Sequence, residues 1–152
     1  MKNSNLILTP QGKKKLEEEL VALRTKRPLA LEELQRARAM GDLKENSAYQ
    51  AARAHLSDID HHIIKCELML RRSTVVEKQD IETVQIGSLV KIKNGSFEMI
   101  VTIVGESEAD PKKKHISHGS PLAKALLGKK KGEQASLVTE TTVIEYSIIE
   151  IT

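Results

Sequence analysis

Tryptophan is absent from these 152 residues, and only three aromatic side chains occur, Tyr49, Phe97 and Tyr146. Any core must therefore be built from aliphatic side chains. A single cysteine, Cys66, excludes an internal disulfide framework and agrees with a reducing compartment. Long apolar runs are missing too. The N-terminal MKNSNLILTP lacks the apolar stretch of a signal peptide, and nothing approaches a membrane span, so a cytoplasmic protein without membrane contacts is expected. The chain holds no glycine-rich phosphate loop, nucleophile elbow or paired Ser/His arrangement. What it has in abundance is charge, 30% of all residues. That suits a long, exposed helical hairpin better than a single-core enzyme, and the length allows one or two small domains.

The first half repeats with the seam of a coiled coil. Leu16, Leu20, Leu23, Ala30, Leu34 and Ala37 step alternately by three and four residues, as do Tyr49, Ala52, Leu56, Ile59, Ile63, Cys66 and Leu70. Arg27, followed by Pro28, fills the one seam slot between Leu23 and Ala30, which predicts a kink but not an end. Thr9 before Pro10 reads as an N-cap with proline at the first helical position, starting a helix that reaches about Met40. Gly41 ends it. Ser47 to Gln50 fits a capping box, so a second helix begins at Asn46 or Ser47 and runs to about Arg72. Some 30 residues per arm give a reach of about 45 Å, longer than burial in so small a protein requires.

From Val75 onward the pattern changes. Residues 84–93 and 97–104 are rich in β-branched side chains, and Asn94-Gly95 between them signals a hairpin. Ser120 to Gly128 reads as one short helix with its cap, its proline and its terminal glycine. Residues 135–139 and 143–151 supply further strands. The class is α+β: an antiparallel helical hairpin over 1–78, then over 79–152 a small antiparallel sheet with one short helix, joined by a linker around 77–81.

Charge is divided unevenly between these halves. Residues 1–78 carry 15 Lys/Arg against 11 Asp/Glu, residues 79–152 carry 9 against 10, and all seven arginines lie in the first segment. Arg36, Arg38 and Arg53 sit towards the turn between the arms, where guanidinium groups can meet phosphates in bidentate fashion. A phosphate-rich partner is one reading; a solvated face laced with i,i+4 pairs is the other. Within the turn, Asp42 and Glu45 are the only acids between Glu33 and Asp58. Two carboxylates are what a protein commonly lends to Mg²⁺, which keeps waters and takes other oxygens from phosphates. They make half a site, and spacing alone equally allows exposed turn residues favoured by a helix dipole.

The run Gly41-Asp42-Leu43-Lys44-Glu45-Asn46-Ser47-Ala48-Tyr49-Gln50-Ala51-Ala52-Arg53 resembles the tip signature of the bacterial Gre transcript cleavage factors. Glu108-Ala109-Asp110-Pro111, Ile116-Ser117 and Ser120 through Lys129 resemble that family's C-terminal motifs, and Thr9 to Gly12 and Arg27-Pro28 fit as well. The resemblance implies an N-terminal coiled coil and an FKBP-like C-terminal domain without prolyl isomerase activity. It further implies a monomer that binds RNA polymerase at its secondary channel, with the C-terminal domain gripping the rim. By motif match, Asp42 and Glu45 help the polymerase hold a second Mg²⁺, none being bound tightly by the factor alone. The nascent RNA is then cut near its 3′ end by the polymerase itself, so the factor is not an enzyme. Arg53, and less directly Arg38, fall in the basic patch facing the RNA. Relatives commonly carry an acid before the tip tyrosine, where this chain has Ala48. The alternative is a channel-binding regulator that inhibits or competes without stimulating cleavage, as some relatives of this architecture do.

Other groups carry less. His62 and Cys66 are four apart on a helix, but Cys66 holds a seam position and reads as core. His115 and His118 flank a loop, and Lys112 to Lys114 and Lys129 to Lys131 are basic loop clusters, either solvated turns or contacts with an acidic partner.

Overall fold

The computed structural model describes residues 6–41 and 45–152. In chain order a short strand β1 (Leu6–Leu8) leads into helix α1 (Pro10–Ala39), and helix α2 (Ser47–Arg72) leads into a short strand β2 (Ser73–Val75). Then come β3 (Leu89–Asn94), β4 (Phe97–Val104), β5 (His115–Ser117), helix α3 (Pro121–Leu126), β6 (Gln134–Val138) and β7 (Val143–Ile151). The chain divides into two compact units, one of Lys14–Arg72 and one of Met1–Lys13 with Ser73–Thr152. None of the described helices is long and apolar enough to cross a membrane.

In the helical unit the seam read from spacing is the buried one. Leu16, Leu20, Ala30 and Ala37 of α1 and Ile59 and Cys66 of α2 are buried, while Leu23, Leu34, Tyr49, Ala52, Leu56, Ile63 and Leu70 are half-buried. The helix continues unbroken through Pro28. Arg27 cannot bury its charge in the seam, so it reaches across to Asp60 on the facing arm, Nε donating at 2.6 Å and Nη2 at 3.3 Å. Arg24 pairs with Glu67 at 2.7 Å, and His55 faces Glu33 at 3.5 Å. These three cross-arm pairs follow an antiparallel register. Burial among seam residues, with Glu19 nearby, pushes the Cys66 thiol above its ordinary range.

In the other unit the sheet runs β5-β4-β3-β7-β6. Its pairs are antiparallel except β4 with β5, which are parallel. Val90, Ile92, Val101, Ile103, Ala135 and Ile148 bury one face against Ala123 and Leu126 of α3, a wholly aliphatic centre. Each of the larger side chains contributes roughly 1.5–3 kcal/mol of burial. The short helix is capped as its sequence indicates: Ser120 Oγ accepts from the Ala123 N–H, and Gly128 takes φ +78° beyond its end.

The structure departs from the sequence reading at several places. β1 and β2, unmarked in the sequence, form a parallel pair from Leu6↔Ser73 to Leu8↔Val75. Three residues are too few to show a period. Residues 84–88 are not strand: Gly87 turns at φ +94°, and the buried Val84 is held by Lys129 and Gly128 backbone bonds. The hairpin turn sits one residue later than Asn94-Gly95, with Asn94↔Phe97 as its last pair and Gly95 at φ +56°. The segment 115–117, read as loop, pairs as β5.

Two side-chain clusters tie down segments that composition marks as loop. Glu108 accepts from the Thr9 N–H at 2.7 Å and from the Thr9 hydroxyl, while Thr9 Oγ1 accepts from the Gly12 N–H at 3.0 Å. The first turn of α1 thus has its orphan donors met by a hydroxyl backed by a carboxylate. A side chain at Gly12 would meet the Glu108 carboxylate, and one at Gly105 the Ile7 carbonyl. In the linker, Asp80 accepts from the Thr83 and Glu82 N–H groups, the Thr83 hydroxyl and the Gln85 amide. Those bonds, led by the Thr83 N–H, hold its carboxyl below the ordinary aspartate range.

Candidate catalytic tip and nucleic-acid interface

Helix α1 ends at Ala39, leaving carbonyls in its last turn without helical partners. The Ala37 carbonyl accepts from the Met40 N–H at 3.3 Å and from the Asn46 side-chain amide at 2.8 Å. Gly41 then takes φ +131°, which a side chain would resist. On the returning side Asn46 Oδ1 accepts from the Tyr49 N–H at 3.1 Å, and its own carbonyl accepts from Gln50. The N-cap of α2 is therefore Asn46, not the capping-box serine. Asparagine competes well for this place because its short carboxamide reaches the third N–H, and here its other end is used as well.

Glu45 precedes this cap and is exposed. Asp42 lies outside the described residues. The two arginines singled out from sequence can be placed by register. Two heptads from Arg24 towards the tip lead to Arg38, and two from its partner Glu67 lead to Arg53. They occupy, on facing arms, the flank that holds the Arg24–Glu67 pair. Both are exposed and make no ion pair among the described residues. Arg36, by contrast, pairs with Glu32 on its own helix at 3.3 Å.

The other flank differs. One heptad from Glu33 leads to Met40, and one from His55 leads to Ala48. An open groove of about 510 Å³ lies there, with Ala37, Met40, Ala48, Ala51 and Ala52 between Glu33, Arg36 and His55. One flank of the tip is thus basic and the other mostly apolar. The sequence reading missed the second use of Asn46 and this groove. An asparagine directly before a helix signals a cap, but nothing in the sequence signals a bond back to the preceding helix. His61 and His62 are exposed, each with Nδ1 on the carbonyl four residues before.

A two-helix arm with an exposed Glu45 and arginines on one flank, and an aliphatic sheet unit in the same chain, define an α+β protein of helical hairpin and small sheet. Known proteins agree with this class. The family model described as transcription elongation factor, N-terminal, matches residues 6–75, and that described as transcription elongation factor, GreA/GreB, C-term, matches 78–152. The transcription elongation factor GreA of Alkaliphilus oremlandii is 41% identical, over 100% of this chain and 99% of its own length. That of Caldanaerobacter subterraneus is 45% identical over 96% of each. The crystal structure of the GreA factor homolog 1 protein of Thermus thermophilus is 28% identical, covering 97% of this chain and 99% of its own, with a TM-score of 0.46. The chain belongs to the GreA/GreB family of transcription elongation factors.

Proposed function

We propose that this chain binds bacterial RNA polymerase at the secondary channel and stimulates the polymerase's own cleavage of backtracked RNA, so that elongation resumes. The observation that carries the reading is the tip: an exposed Glu45 beside the Asn46 cap, within the Gly41 to Arg53 signature, with Arg38 and Arg53 exposed on one flank and without an ion pair among the described residues. The nuclease is the polymerase, and the factor lends groups to it from the cytoplasm as a monomer. The helical segment (1–78) reaches the reacting RNA, and the C-terminal segment (79–152) grips the channel rim.

The donor set fits a shared Mg²⁺ site. No group of three His, Cys, Asp or Glu stands together to hold a metal among the described residues. Glu45 with Asp42 offers two carboxylates, and a partner's acids and the RNA phosphates would complete the coordination. When bound, such an ion supplies activation of the attacking water and charge stabilisation at the leaving oxygen. The chain's own part is to bring acidic oxygens to that place and to hold the RNA. Arg53 and Arg38, planar and permanently charged, suit the phosphates of the extruded 3′ segment.

The test is transcript cleavage in a stalled, backtracked elongation complex, comparing wild type with an Asp42→Ala/Glu45→Ala double variant across Mg²⁺ concentrations. The reading expects 3′ fragments from wild type, and from the variant undiminished polymerase binding without fragments. Wild type that binds and suppresses synthesis without cleavage would instead identify a channel-occupying regulator.

A further inference from the structure

We infer that Asn46 is a positioning residue for the Glu45 carboxylate, acting as a two-ended clamp whose bond to Ala37 is separate in purpose from its capping of α2. The inference rests on the proposed function and deepens it. Asn46 spends both ends of its carboxamide inside the hairpin: Oδ1 accepts from Tyr49 at 3.1 Å, and Nδ2 donates to the Ala37 carbonyl at 2.8 Å. The first bond belongs to helix initiation and needs only a short acceptor, which serine, threonine or aspartate would supply equally. The second needs a donor on the same side chain, and among the good caps only asparagine has an amide that reaches so far while still accepting.

The second bond joins the last turn of one arm to the first turn of the other. It closes a loop whose ends are residues 37 and 46, with the proposed metal-binding Glu45 directly before the clamp residue. The Ala37 carbonyl also accepts from the Met40 N–H at 3.3 Å, so the clamp uses the second acceptor site of a carbonyl in the last turn of α1 while fixing where α2 starts. A carboxylate that must meet an ion held mainly by a partner gains from being ordered beforehand, because the ordering cost is then not drawn from binding. The half-buried Asn46 touches neither RNA nor ion in this account; it acts through Glu45.

The experiment compares wild type, Asn46→Ser and Asn46→Ala. Serine keeps an acceptor for Tyr49 and loses the donor to Ala37; alanine loses both. In the free proteins, the ¹⁵N order parameter at Glu45 should fall in both variants, while protection of the Tyr49 amide from exchange should persist in serine and fall only in alanine. In backtracked complexes, Asn46→Ser should leave the half-saturating factor concentration unchanged, lower the maximal cleavage rate roughly ten- to a hundredfold, and raise the Mg²⁺ needed for half-maximal rate. A general loss of fold would move the half-saturating concentration as well. If wild type cleaves and Asn46→Ser matches it in rate and Mg²⁺ dependence, or if order at Glu45 is unchanged, the inference is overturned and the proposed function stands. If wild type itself does not stimulate cleavage, the inference falls with the reading beneath it.

Discussion

Arg27 places its Nε 2.6 Å from Asp60 Oδ1, so the one polar seam position of α1 is answered by a carboxylate on the facing arm. The bond to Asp60, and then its charge, raise the Arg27 pKa further. Exposed pairs of this kind add little net stability, whereas an apolar seam residue adds burial. Arg27→Leu should therefore raise the thermal midpoint of the protein by a few degrees, and Arg27→Ala should lower it slightly. A large loss on Arg27→Leu, followed by circular dichroism, would show that the pair sets the register of the arms.

The start of α1 offers a cycle of substitutions. Thr9→Ala removes the cap and should cost about 1 kcal/mol. Gly12→Ala should displace the Glu108 carboxylate that backs the cap. Its effect should therefore overlap with that of Glu108→Ala rather than add to it. Denaturant titration of both singles and the double measures the coupling, and full additivity would contradict the contact.

Asp80 provides a pH signature. Its carboxyl is held below the ordinary aspartate range, so the folded state gains from its ionised form at neutral pH. That gain persists above the unfolded value, about 3.9, and is lost as pH falls through the lower folded value. The Asp80 carboxyl carbon and the Glu82 and Thr83 amides should titrate together below pH ~3.9, and Asp80→Asn should abolish the shared transition.

Arg38→Ala/Arg53→Ala should leave the stability of the free protein within about 0.5 kcal/mol, because neither arginine makes a described ion pair. Contact with backtracked RNA should weaken, and the salt dependence of that contact should fall by about 0.7 in log–log slope for each arginine. Binding measurements over a salt series, with crosslinking to the RNA 3′ segment, decide it.

Ala48→Glu would place an acid directly before the tip tyrosine, Tyr49. The position is in the first turn of α2, exposed and beside the groove. A carboxylate there meets the helix dipole and should stabilise the hairpin by about 0.3–1 kcal/mol. Cleavage should need less Mg²⁺. Unchanged Mg²⁺ dependence would mean that Ala48 costs the tip nothing.

The hairpin was legible because its seam repeats for many turns, and each of its apolar positions is buried or half-buried where spacing put it, Arg27 alone being exposed. The helix ends were legible where the chemistry is local, as at Thr9, Ser120 and Gly128. β1, β2 and β5 were not, since each has three residues and takes its form from a partner distant in sequence. At the tip, the residue types and the nearness of the arginines to the turn were legible in the sequence, whereas their shared flank follows from the Arg24–Glu67 pair of the structure. The Asn46 to Ala37 bond did not, because it joins two helix ends and belongs to neither.

The parallel pairing of β1 with β2 also dictates an order of events. Leu6–Leu8 lies at the start of the chain, yet its strand partner is Ser73–Val75 and its helix cap is backed by Glu108. A growing chain must therefore leave its first segment waiting while the arms, built from contacts a few residues apart, fold on each other. Hairpin formation brings residue 73 back towards residue 8 and shortens the loop that the pairing has to close. Pairing of Leu6–Leu8 with Ser73–Val75 therefore costs less chain entropy once the arms have closed than before.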